Sequence, residues 1–154
     1  VLIFIILSRR IPKAQEFEKQ EKVEVSDEEM TTYGLIAQAD DYFDKKDFEN
    51  AEKLFVKAAA SEPNNPTIYS KLGAIYLEQE NFYDAKEAFT AALKVDPDNA
   101  SRFVNLGLAF MGLKDYFKAS RTFQDALKLD PKNKKYQKLF EKAEKAKERD
   151  SKRK

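Results

Sequence analysis

The chain has 154 residues, 42% hydrophobic and 36% charged, with four Gly and five Pro, a balance that suits one helical domain of ordinary size. Zero Cys excludes disulfides, thiolate metal sites and cysteine nucleophiles, and zero His removes the commonest metal ligand and the usual general base. The formal net charge of +1 conceals a division: residues 132–154 carry eleven Lys and Arg against four Asp and Glu, leaving residues 1–131 with 17 against 23.

Val1 to Leu7 form the most apolar run, closed by Ser8, Arg9 and Arg10. A bilayer span takes about 20 such residues. Residues 1–10 therefore read as the end of an N-terminal membrane anchor, the alternative being a strand packed on the core. Basic residues that follow the run, rather than precede it, do not fit a cleavable signal peptide. With Lys13 they place the body on the cytoplasmic side by the positive-inside rule. The expectation is a membrane-tethered protein with a cytoplasmic body, and a cytoplasmic one if the anchor is absent. Residues 11–31 form a charged linker, in which residues 11–30 set three Lys against seven acids. Ser26-Asp27-Glu28-Glu29 has the form of a capping box and predicts the first firm helix there.

Beyond the linker the sequence repeats at a step of 34. The columns are Leu35, Tyr69, Phe103; Ala39, Gly73, Gly107; Tyr42, Tyr76, Phe110; Ala51, Ala85, Ala119; Phe55, Phe89, Phe123; Ala58, Ala92, Ala126; and Pro63, Pro97, Pro131. Within a row, Tyr69, Leu72, Gly73 and Tyr76 are at helical spacing, and so are Ala85, Ala88, Phe89, Ala92 and Leu93. Each row is therefore two helices with a short turn. Glu62-Pro63, Asp96-Pro97 and Asp130-Pro131 end the second helices, because the residue before proline resists the helical conformation. The small column marks where a first helix comes close to its partner, with Ala51, Ala85 and Ala119 expected to face it.

A row of aromatic, Leu-Gly, Tyr, Ala, Phe, Ala and Pro resembles the tetratricopeptide repeat family, and TIYSKLGAIYLEQENFYDAKEAFTAALKVDP, residues 67–97, is a close match. The resemblance covers three repeats within residues 32–133, at 32–65, 66–99 and 100–133, and implies an all-α superhelix. The first repeat departs from the pattern, with Gln38-Ala39 where the others have Leu72-Gly73 and Leu106-Gly107. The next period puts Glu141 and Glu144 on the Gly and Tyr columns, so no fourth repeat follows. Residues 134–154 read as a capping helix, with Tyr136, Leu139, Phe140 and Ala143 on one side, and a basic tail.

Motifs that carry chemistry are weak. Gly107 and Gly112 have the spacing of a phosphate loop, but Leu113 separates Gly112 from Lys114 and Gly107 belongs to a repeat column. Asp40, Asp44 and Asp47 share a helical face, yet a straight helix cannot wrap an ion, so a solvated acidic face is the better reading. No cofactor and no metal are expected.

Each first helix carries a second stripe: Tyr33, Ile36, Asp40, Phe43; Thr67, Ser70, Ala74, Leu77; Ser101, Val104, Leu108, Met111. The resemblance makes this side the inner, ligand-binding wall, with Lys71, Asn105, Asp44 and Glu78 beside it. Tyr33, Ile36, Phe43, Leu77, Val104 and Met111 are expected to stay largely exposed, although Ile36, Phe43, Val104 and Met111 also suit packing against neighbouring helices. Chaperone-binding members of the family clamp a C-terminal carboxylate with Lys, Asn and Arg. The matching positions here are Ile36, Asp40, Lys71, Ser101 and Asn105, of which only Lys71 and Asn105 suit. The expected ligand is an amphipathic helix or extended apolar peptide of a partner protein, with a basic residue to meet Asp40 and Asp44. The reading is a non-catalytic interaction module or scaffold. Its alternatives are a self-assembling structural subunit and a binder of nucleic acid or anionic lipid through the tail. A solvated cap laced by Glu-Lys pairs explains the tail better than nucleic acid does.

Overall fold

The computed structural model describes residues 31–153, and the apolar run, the linker through Met30 and the Ser26 capping box lie outside the described residues. Seven helices occupy the described chain: α1 (Thr32–Asp44), α2 (Phe48–Ser61), α3 (Pro66–Glu78), α4 (Phe82–Val95), α5 (Ala100–Gly112), α6 (Tyr116–Leu129) and α7 (Lys134–Ser151). None is long and apolar enough to cross a membrane. The first of them takes its cap from Thr31, whose hydroxyl accepts from the Gly34 amide at 3.2 Å, and Thr31 itself is extended.

Short polar side chains start every other helix. Asp47, Asn65, Asn81, Asn99, Asp115 and Asn133 each accept from an amide of the following first turn. The turn inside each pair has a shape the composition hides: Lys46, Glu80 and Lys114 adopt φ of 59°, 57° and 60°. This left-handed residue disfavours side chains with a Cβ, yet no glycine marks it, and it recurs at the same 34-residue step.

Each helix packs on the next in sequence, which makes a stack of antiparallel pairs, an all-α solenoid. Its core is a series of small clusters between layers. Ala85, Phe89, Leu106 and Ala109 form one; Val104, Ala119, Phe123, Ala126 and Ala143 form the next; half-buried Phe110 touches both. Phe55, Phe89 and Phe123 are wholly buried. At Gly73 and Gly107 the nearest atoms across the pair belong to these rings. A Cβ on Gly73 would lie 2.7 Å from Phe89 Cζ, and one on Gly107 2.5 Å from Phe123 Cε1.

Polar links also join layers. Arg102 of α5, 9% exposed, donates Nε to Ser70 Oγ at 2.8 Å and pairs its guanidinium with the Asp96 carboxylate. Tyr76 of α3 donates its hydroxyl to Glu52 Oε1 of α2 at 2.9 Å, and burial, with that hydrogen bond, pushes the phenol up to about 12. The fold thus favours neutral Tyr76. Its contribution is complete below the ordinary tyrosine value of about 10 and is lost as pH rises towards 12. Alkaline titration followed by circular dichroism should show this loss, and Tyr76→Phe should flatten the curve between those limits. Identical curves for the two proteins would refute the coupling.

Candidate functional site

Consecutive first helices are joined through the second stripe. Lys71 Nζ of α3 lies 2.6 Å from Asp40 Oδ1 of α1 and 5.4 Å above the Phe43 ring. Both partners are a little over a third exposed, so the pair contributes under about 1 kcal/mol. Its consequence is electrostatic: the lysine and the aspartate cancel, and exposed Asp44 and Glu78 leave this end of the stripe negative.

The structure corrects the expected exposure of the stripe. Tyr33 alone of the six residues is exposed, at 81%. Val104 is only 6% exposed and belongs to the cluster around Phe123, because α7 lays Tyr136, Leu139 and Phe140 over the same cluster. Leu108 and Met111 are half-buried against that cluster, and Leu77 against the one around Phe89. Ile36 is half-buried. Phe43 is half-buried too, edge-on to Phe48 with centroids 5.7 Å apart. Asn105 is half-buried. The inner face thus presents apolar edges between charges, and Val104 is withdrawn from it. Its hydroxyls have structural partners: Ser70 Oγ donates to the Pro66 carbonyl at 2.8 Å while accepting from Arg102, and Ser101 Oγ lies 3.4 Å from the Tyr136 hydroxyl.

Most of the acidic residues in and just after α1 have separate partners, and Asp44 stays exposed. Asp41 pairs with Lys45 at 2.6 Å, Asp47 caps α2 and Asp40 holds Lys71. No group of three or more among the described residues could hold a metal ion.

A feature the sequence reading missed lies at the other end. Between α5, α6 and α7 there is an open recess of about 520 Å³, bordered by Met111, Tyr116 and Ala146 and by Lys138, Lys142, Lys145 and Arg149. The signal was available: one further step of 34 carries Val104, Leu108 and Met111 onto Lys138, Lys142 and Lys145.

A tetratricopeptide repeat profile matches residues 42–106 and 76–143, more than half of the chain. Comparison with curated proteins gave no match. Among solved structures, the Arabidopsis OM64 TPR domain is similar at 24% identity, covering 74% of this chain and 94% of that one, with a TM-score of 0.70. The first TPR of Spaghetti (RPAP3), bound to the HSP90 peptide SRMEEVD, is 18% identical, covering 80% and 97%, at 0.72. The Sgt2 TPR domain from Aspergillus fumigatus is 21% identical, covering 79% and 82%, also at 0.72. Identities this low speak to the fold alone.

Proposed function

Since the chain belongs to the tetratricopeptide repeat family, we propose that it is a non-catalytic protein-interaction module whose inner face binds a segment of a partner protein. The observation that carries this reading is the spent state of the inner cations. Similar domains hold the HSP90 peptide SRMEEVD and the HSP70 peptide SGPTIEEVD. Here Ile36, Asp40 and Ser101 stand at clamp positions, Lys71 is neutralised by Asp40, and Arg102 is buried against Asp96. A terminal carboxylate would meet no unengaged cation on α1, α3 or α5. A segment with apolar side chains for Tyr33, Ile36, Leu77 and Leu108, and a basic residue for Asp44 and Glu78, meets complementary groups instead.

A site-resolved crosslink tests this. A photoreactive amino acid at Tyr33 or Leu77 should capture the partner, and one at exposed Val56 on α2 should not. Asp44→Lys should slow association and change its salt dependence more than it shortens the complex's lifetime. Phe43→Ala is a poor probe because that ring also packs on Phe48. Capture from Val56 with none from Tyr33 or Leu77 would move binding to the outer face and end this reading.

A further inference from the structure

The basic recess has no part in the reading above. Lys138, Lys142, Lys145 and Arg149 are exposed, and none has an ion-pair partner among the described residues, whereas Lys147 on the same helix is held by Glu144 at 2.6 Å. They stand on about 16 Å of helix, at about 1.5 Å per residue. Like charges spaced by one turn repel, so an anionic guest would relieve the strain they place on α7. The recess also has an apolar side, formed by Met111, Tyr116 and Ala146. Glu141 on its wall accepts from Gln137 at 3.1 Å and neutralises none of the four cations.

We propose that this recess docks an acidic segment of a partner protein. Its carboxylates, one helical turn apart, meet Lys138, Lys142, Lys145 and Arg149, while one apolar side chain seats on Met111, Tyr116 and Ala146. A nucleic-acid backbone carries no apolar side chain for that seat. The inference deepens the inner-face reading and rests on it for direction. A segment lying along the stripe meets negative charge at Asp44 and Glu78 and positive charge at α7, so it binds with its acidic end on α7 and its basic end towards α1.

The test is fluorescence anisotropy of a labelled helical peptide of about four turns, with Glu at one-turn spacing, a central Leu on the same face and Lys at the end away from the Glu residues. It is titrated with the full chain. The peptide should bind, more weakly as salt rises, and its counterpart with Gln for Glu should not. Lys142→Glu combined with Lys145→Glu should raise Kd by about tenfold or more and leave the circular dichroism spectrum unchanged, because both side chains are exposed. Equal binding of the Gln peptide, or an unchanged Kd in the double variant, overturns the proposal. Displacement of the peptide by a single-stranded oligonucleotide of equal charge overturns its assignment to a protein segment. Leu77→Ser and Asp44→Lys separate the two readings. Loss confined to the α7 variant supports the recess and removes α1 and α3 from the interface; loss confined to Leu77→Ser and Asp44→Lys supports the inner-face reading and overturns this one.

Discussion

Replacing Gly107 with leucine should lower the stability of the folded chain by about 3 kcal/mol or more, the upper end of what overpacking costs. The reason is the position of one ring. Phe123 is wholly buried in the cluster formed with Val104, Ala126 and Ala143, and a Cβ on Gly107 would already stand 2.5 Å from its Cε1. The ring is enclosed by that cluster, so a leucine side chain should force α5 and α6 apart and strain the polar links that cross the layers. Gly107→Ala makes the comparison graded. The first pair carries Ala39 at the corresponding step of the repeat, with Ala39 and Phe55 both fully buried, so a pair of this kind accommodates one methyl there. Alanine should therefore cost less than leucine. Urea denaturation of the two variants beside Gln124→Ala, at an exposed position, is the measurement, with the control within about 0.5 kcal/mol of the parent. A leucine variant as stable as the control would mean that the pair does not close on Phe123.

Much of this was legible beforehand because a solenoid is nearly one-dimensional. Each layer touches only its neighbours, so a 34-residue row contains most of its own contacts, and the Ala and Phe columns that define the row are among the residues with no exposed surface. The breakers at Pro63, Pro97 and Pro131 could be read for the same reason, since a helix end is a local event. Reasoning failed where the answer depended on what lies beside a row. Val104 occupies the same stripe as Ser70, but its layer is followed by α7, and the cap buries it. The Asp40–Lys71 pair joins residues 31 apart and cannot be seen in either helix alone. Arg102 would be assigned to the surface by type, yet it sits against Ser70 and Asp96. The basic charge of α7 is plain in the sequence, but that Lys138, Lys142 and Lys145 border one recess with Met111 and Tyr116 depends on how α7 lies against α5 and α6.

Deleting residues 134–154 should have the largest effect of all, and it should act on stability before it acts on binding. Helix α7 contributes Ala143, fully buried, with Tyr136, Leu139 and Phe140 packed against the cluster of Val104, Phe123 and Ala126. Burying an apolar side chain contributes about 1.5–3 kcal/mol when complete, and three of these four are partly exposed, so the loss is on the order of 5 kcal/mol. The polar seam is lost as well. Ser120 donates to Glu144, and Lys147, with that serine, holds the Glu144 carboxyl below the usual carboxylate range. Against a total of about 5–15 kcal/mol for a domain, removal should leave the third pair unfolded or barely folded. Because layers couple only to neighbours, the damage should be graded along the chain. Amide exchange should show protection lost across α5 and α6 and partly kept in α3 and α4. Binding lost on truncation would therefore not assign the ligand to the tail, which is why charge reversal on an intact α7 is the decisive experiment for the recess. A truncated chain with unchanged protection in α5 and α6 would show that α7 does not seal the stack. In that event Val104 and Phe123 would need another cover, and the basic recess could no longer be treated as part of the folded body.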